Sequence, residues 1–326
     1  MQKRPHVDVV EIDLPPSRET PQKNFTHECE AMLEEGCGDI LDSLCGENGI
    51  GKNEMDGWIE KKTSGRNSII FEKSINSITY VLKLVKNVYK NKTGERGTNR
   101  PMHHAESCAA MLTTVARVNK VRDIAPEIIP EHIHMTIRYT TLDVNITWDK
   151  RRLGLFIVMK HSGFKAQDFE RVLREKNLLG VAVNSDKIKN SEEHVNELES
   201  RFNPELMESI SSEVARFALT RLVHFDLMSV KNGLLVVNRN NLAFRVTDKN
   251  IKVTLLDIDS HELMIADNTV SPKDLELYWK YTMLLALTGE KGLLGYQIDI
   301  FRCHDVTIPP NHDVYIHSPP RKKSKS

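Results

Sequence analysis

The sequence predicts an α+β fold in two lobes, the first rich in strands and the second rich in helices. Two observations carry this. Residues 58–86 crowd β-branched and aromatic side chains around a polar turn, the composition of a hairpin. The second half is dominated by helical spacing of apolar residues, with short strand-like runs between the helices. No internal repeat is visible.

The chain has 326 residues, enough for one large domain or two small ones. A chain this long buries about three quarters of its unfolded surface, so it needs no disulfides to fold. Its five cysteines fit no disulfide framework, and Cys29, Cys37 and Cys45 recur at intervals that do not suit zinc. Reduced thiols are expected, with a cytoplasmic or nuclear location. The 45 Lys and Arg balance 45 Asp and Glu, which argues against a global attraction to nucleic acid or to an anionic membrane. Apolar runs such as Gly154–Met159 and Thr282–Leu287 fall far short of the roughly 20 residues that span a bilayer. No apolar stretch follows the N-terminal Met-Gln-Lys-Arg-Pro-His, so no secretory signal is expected.

Residues 1–56 read as an acidic N-terminal extension, expected to be partly disordered. Pro5, Pro15, Pro16 and Pro21 break any element, and a helix is expected from Cys29 to Leu44. Up to Asp56 there are 13 acidic against five basic residues, the pattern of a solvated docking arm. The folded domain is expected over 57–308, with its first lobe at about 57–159 and its second at about 160–308. Strand Ile69-Ile70-Phe71, turn Ser74–Ser77 and strand Ile78–Val85 form the hairpin. A basic loop from Lys86 to Arg100 leads into a helix from Pro101 to about Asn119. Strands His134–Ile146 and Leu153–Met159 follow, then helices Ala166–Lys176, Glu192–Phe202 and Glu205–Leu222. Leu234–Val237, Ala243–Val246 and Val253–Ile258 are short strands, and Leu275–Leu287 is a strongly apolar helix. Residues 309–326 form a basic tail, expected to be disordered. Its Arg321-Lys322-Lys323-Ser324-Lys325 suits a nuclear import receptor, or serves only solubility.

Chemistry concentrates in His224-Phe225-Asp226-Leu227 with Asn232 downstream, and in Leu256-Asp257-Ile258-Asp259 at a strand end. Phosphoryl transfer needs these residue types. One carboxylate orients the attacking hydroxyl and accepts its proton, while an Asn and a second carboxylate hold Mg²⁺ against nucleotide phosphates. Mg²⁺ is a hard ion that takes oxygen ligands, which suits Asn and Asp and not the cysteines. A rival motif, Gly46–Asn53, nearly spells a P-loop, but Asn53 replaces the Ser or Thr that binds Mg²⁺ and no strand precedes it.

His224-Phe225-Asp226-Leu227 resembles the catalytic loop of the protein kinase superfamily, and Asp257-Ile258-Asp259 resembles its Asp-Phe-Gly metal motif. Tyr80-Val81-Leu82-Lys83 resembles the strand that carries the phosphate-binding lysine, and Glu106 stands on the following helix. Thr63-Ser64-Gly65-Arg66-Asn67-Ser68-Ile69-Ile70 resembles a degenerate Gly-rich loop, and Leu155–Gly163 the fifth strand and hinge. The resemblance implies a protein-kinase-like fold with a reduced C-lobe, binding ATP with Mg²⁺ or Mn²⁺. It makes Asp226, Lys83 and Glu106 catalytic, with Lys83 paired to Glu106. It assigns Thr63, Gly65, Ser68, Ile70, Met159, Lys160 and His161 to the nucleotide, and Asn232 and Asp257 to the metal. A small, divergent kinase of this sort resembles the serine/threonine kinases of large DNA viruses, which implies a protein substrate with a Ser or Thr acceptor.

Departures bear on the acceptor more than on the nucleotide. Asn232 lies six residues after Asp226, where the family has five. Phe225 replaces the arginine that partners a phosphorylated activation loop, so activation by loop phosphorylation is not expected. Asp259 replaces the glycine and reads as a solvated or capping residue, or as a second metal ligand. No Ala-Pro-Glu follows. Two other readings stay open beside the protein kinase: a pseudokinase acting as an interaction module, and a small-molecule kinase of the aminoglycoside or choline type.

Overall fold

The computed structural model of the chain describes residues 55, 57–61, 68–75, 77–85, 104–140, 152–181, 190–247, 250–294, 298 and 302–307. Within this set the side chains of residues 104–110, 138–140, 152–153, 226 and 247 are not described. The acidic extension before residue 55, the P-loop-like Gly46–Asn53, the basic loop and the basic tail lie outside the described residues.

The first half builds one antiparallel sheet from β1 (Ile59–Glu60), β2 (Ser68–Ile75), β3 (Ile78–Val85), β4 (His134–Thr140) and β5 (Arg152–Lys160). Its order is β1-β2-β3-β5-β4. The β2–β3 ladder runs to Ile75↔Ile78, so Ser74 and Ile75 are strand residues and the turn is tighter than the sequence suggests. Alternation gives the sheet two apolar faces. Leu82, Leu84, Phe156 and Val158 bury one face, beneath Met55 and Trp58. Leu155, Ile157 and Met159 bury the other, joined by Met135 and Ile137 of β4.

Helix α1 (His104–Ile124) packs on that second face through Met111, Val115, Val118 and Val121. The apolar stripe continues past Asn119 to Ala125, and the helix stops only before Pro126, whose ring disfavours helical backbone in the residue before it. The loop after α1 ties the sheet to the second half. Ile128 and Ile129 are buried, and the Ile128 carbonyl accepts from Leu255 N–H at 2.7 Å.

Four more helices follow: α2 (Ala166–Glu175), α3 (Ser191–Ser200), α4 (Pro204–Leu219) and α5 (Pro272–Thr288). Their starts are legible in the chain. Asn190, Asn203 and Ser271 cap the backbone N–H groups of Glu193, Leu206 and Asp274, and Pro204 and Pro272 open their helices. Helix α5 is buried almost all round, and Trp279 stacks edge-on against Phe217 of α4 at 4.7 Å. Between α3 and the end of α5, Arg201 joins Glu197 at 2.6 Å and Glu290 at 2.5 Å, beside His194. That guanidinium balances both carboxylates of the cluster.

Short strands thread the helices. β6 (Phe164–Lys165) pairs with β10 (Leu242–Thr247), which pairs with β11 (Asn250–Leu255). β8 (Met228–Lys231) and β9 (Leu234–Val237) make a hairpin. A third sheet has the order β13-β12-β7, from β7 (Leu222–His224), β12 (Leu263–Ala266) and β13 (Cys303–Asp305). β7 corrects the expected end of the preceding helix at Leu222, and β11 corrects a strand expected to run to Ile258. No helix of the described residues is long and apolar enough to cross a membrane.

The link from β5 to α2 turns at Gly163, with φ 127°. A Cβ there would stand 2.5 Å from the carbonyl oxygen of Phe244. Gly163→Ala is therefore expected to destabilise the fold by roughly 1–3 kcal/mol. A denaturation midpoint equal to wild type would show that this link relaxes freely.

Candidate active site

β3 presents Lys83 on the inner face of its sheet, opposite Ile70 of β2 and Ile157 of β5. Alternating apolar neighbours hold the strand, so the lysine lies in a largely buried surface with its side chain 13% exposed. β11 ends at Leu255 and delivers Asp257 and Asp259 to the same point. Lys83 Nζ donates to Asp257 Oδ1 at 2.7 Å and to Asp259 Oδ1 at 2.6 Å. Burial alone would lower the Lys83 pKa, but the two carboxylates raise it well above the ordinary lysine value. Burial likewise pushes the Asp257 carboxyl up, and Lys83 with His224 overrides this and holds it far below the usual carboxylate range.

The Asp257 carboxylate and backbone have further partners. His224, fully buried at the end of β7, sets Nε2 3.2 Å from the Asp257 carbonyl and 3.7 Å from its Oδ2. Asn241 points Nδ2 at Asp257 Oδ2 from 3.5 Å. α5 supports the arrangement from below. Tyr278 Oη donates to the His224 carbonyl at 2.8 Å and accepts from its N–H at 3.2 Å, and Trp279 Nε1 donates to the Leu222 carbonyl at 3.0 Å. Asp226 follows His224 in a single 3₁₀ turn, Phe225–Leu227, which Phe225 N–H ties to the Glu262 carbonyl at 3.0 Å.

The structure joins Lys83, Asp257 and the His224–Leu227 loop, as the sequence expects. It corrects the readings of Asp259 and Asn232, and leaves the expected Lys83–Glu106 pair outside what it describes. The described partners of Lys83 are Asp257 and Asp259. Glu106, the partner expected from sequence, lies in α1, and its side chain is outside the described residues. Asp259 is neither solvated nor a cap; its side chain is 8% exposed and paired. Asn232 sits exposed in the β8–β9 turn at φ 53°, beside Gly233 at φ 75°. Two left-handed residues in a two-residue loop make the turn that best matches strand twist, so Asn232 serves the hairpin. Asn241 instead meets Asp257. Its signal was present in Asn241-Leu242-Ala243-Phe244, an Asn opening the strand pair that leads to Asp257.

On the nucleotide side, Ser68 is buried at the start of β2, Ile70 faces Lys83, and Met159 is buried opposite Val81. Thr63 and Gly65 lie outside the described residues. The kinase resemblance has Lys160 to Ser162 offer backbone hydrogen bonds to a base. The N–H groups of Lys160, the last residue of β5, and of His161 are committed to the Glu131 and Thr79 carbonyls, each at 2.9 Å. The Lys160 ammonium pairs with Glu131 at 2.8 Å.

Fold and site together define a protein-kinase-like architecture with a reduced C-lobe: a five-stranded sheet bearing a buried lysine, a helix on its inner face, a His-x-Asp turn and a strand-end aspartate. The sequence matches no protein-family model and no curated protein. Among solved structures it is similar to the Rio2 kinase–ADP/Mg²⁺–phosphoaspartate complex from Chaetomium thermophilum. That likeness has 11% identity over 71% of this chain and 56% of the other, with a TM-score of 0.32. The chain thus spans little more than half of that kinase's length. It is also similar to WaaP in complex with acyl carrier protein, at 9% identity over 77% and 82% of the two chains and a TM-score of 0.30. A third likeness is to spectinomycin phosphotransferase APH(9)-Ia with ADP and spectinomycin, at 12% identity over 72% and 74%, with a TM-score of 0.23. Overlaps this loose bear no weight by themselves, and the kinase-like assignment stands on the chain's own element order and side chains.

Proposed function

We propose that this chain is an ATP-dependent phosphotransferase. The observation that carries the reading is Lys83 meeting Asp257 and Asp259 across most of the domain, beside the His224–Leu227 turn. The donor set fits a hard divalent cation, since Asp257 and the Asn241 amide supply oxygens. Bound ATP and Mg²⁺ (or Mn²⁺) would supply the transferable phosphoryl group and neutralise charge on its oxygens. Asp257 and Asn241 would hold the metal. Lys83 positions the nucleotide phosphates, and His224 fixes the backbone of Asp257. Asp226 orients the acceptor hydroxyl and takes its proton.

The resemblance of the catalytic loop favours a Ser or Thr side chain of a protein as acceptor. A specific feature favours a second reading, a small hydroxylated molecule. β12 reaches α5 through residues 267–271 alone, too short a link, among the described residues, to cradle an extended peptide.

The test is phosphate transfer from ATP by the purified chain with Mg²⁺ or Mn²⁺, to mixed protein acceptors and to hydroxylated small molecules. Asp226→Asn is expected to lose about 10²–10⁴-fold in turnover. Asn241→Ala is expected to raise the Mg²⁺ requirement about tenfold or more, while Asn232→Ala stays within about twofold of wild type. Absence of both transfer and nucleotide-induced thermal stabilisation would overturn the reading. Stabilisation without transfer would leave a pseudokinase.

A further inference from the structure

Residues 257–266 carry Asp257 and Asp259 away from β11 and end in β12. One edge of β12 pairs with β7, through Leu263↔His224 and Ile265↔Leu222. The other edge pairs with β13, near the far end of the described chain, through Met264↔Asp305 and Ala266↔Cys303. Asp267 N–H adds a bond to the Arg302 carbonyl at 2.7 Å, and Cys303 and Val306 are buried. β13 also reaches the helix on the first sheet. Asp305 Oδ2 lies 3.6 Å from the Arg117 guanidinium of α1, which donates to the Asp259 carbonyl at 3.4 Å. Asp305 Oδ1 accepts from the N–H and the hydroxyl of Thr307, both at 2.8 Å, and this orients the carboxylate.

Arg117 is 6% exposed, and its Nε meets no hydrogen-bond partner among the described residues. A guanidinium buried this far stays favourable only while a partner compensates its charge. Asp305 is that partner, and it comes from a strand that already grips the metal-ligand segment. One strand therefore ties three things together: α1, the Asp257–Asp259 turn and β12.

We propose that β13 is an internal strap that holds α1 and the Asp257–Ala266 segment in register, with Asp305 and Arg117 as positioning residues for the aspartates that meet Lys83. The catalytic consequence rests on the phosphotransferase reading; the strap itself does not. Phe225 removes the arginine that would grip a phosphorylated loop. Here a permanent carboxylate on the chain's own strand supplies the anion, and the segment is ordered without any modifying enzyme.

Asp305→Asn tests this, since it removes the charge and keeps an acceptor for Thr307. The Asp305 side chain is 35% exposed, so the variant is expected to fold. Amide hydrogen exchange in residues 258–266 of the full chain is expected to rise about tenfold or more. Turnover is expected to fall about tenfold, with the KM for ATP changed less than about threefold. His304→Ala, on the same strand with an exposed side chain, is expected to leave exchange within about twofold of wild type. Unchanged exchange in Asp305→Asn, or an equal rise in His304→Ala, overturns the strap. A wild-type chain without turnover overturns the phosphotransferase reading instead, and exchange then decides the strap alone.

Discussion

Lys83→Met is expected to abolish phosphate transfer and also to destabilise the free protein. The second effect follows from the two carboxylates. Asp259 is nearly buried and Asp257 largely so, and both bond the same ammonium. Methionine fills the space but leaves two like charges side by side in a partly dry site. Removing one partner from a buried ion pair costs about 3–5 kcal/mol, because the charge left behind has lost its compensation. Asn241 and His224 still face Asp257, which places the expected loss at the lower end of that range. Chemical denaturation of wild type and variant reads this directly. ATP-dependent thermal stabilisation should vanish in the same variant. A variant as stable as wild type would mean that the carboxylates take up protons or water without strain. The lysine would then serve nucleotide alone.

Much of this site can be read along the chain, and the parts that cannot share a physical cause. Lys83, Asp257 and the His224–Leu227 turn are legible because local pattern predicts where each sits: an apolar strand, a strand end, the end of a helix. The two-lobed order is legible for the same reason. Asn232 misled because Asn-Gly is both a short-range hairpin signal and a plausible metal ligand by spacing. Backbone geometry decided for the hairpin, and the amide that meets Asp257 is that of Asn241. Asp259 and Arg117 look like surface charges in sequence. Only the fold brings them together, 142 positions apart in the chain. β7, β12 and β13 are three or four residues long, and their pairing partners are distant in sequence. No window of local periodicity can reveal strands so short. The bonding of the Lys160 and His161 N–H groups is not legible either, because β5 runs one residue further than composition implies.

Asp257→Asn and Asp259→Asn separate the two aspartates, and the first is expected to lose about 10²–10³-fold or more in turnover. Both variants deprive Lys83 of a charge, so both should be less stable than wild type. Their catalytic effects should differ. Asp257 is the more open of the two, with a side chain 28% exposed, and it meets Lys83, His224 and Asn241 together. On the phosphotransferase reading it is the carboxylate that would hold a cation, with Asn241 supplying a second oxygen. Asparagine there keeps the shape but removes the anion, and losing a preorganised electrostatic group of this kind costs about 10²–10³-fold in turnover or more. Asp259 is closed in by Lys83, and its backbone is held by Arg117. Its side chain acts on Lys83, so Asp259→Asn should weaken nucleotide positioning and raise the KM for ATP more than it lowers kcat. Raising the Mg²⁺ concentration should leave Asp257→Asn impaired and should not alter Asp259→Asn. Equal losses in kcat for the two variants, or recovery of Asp259→Asn by added Mg²⁺, would make Asp259 a metal ligand beside Asp257. The division of labour drawn from their exposure would then fail.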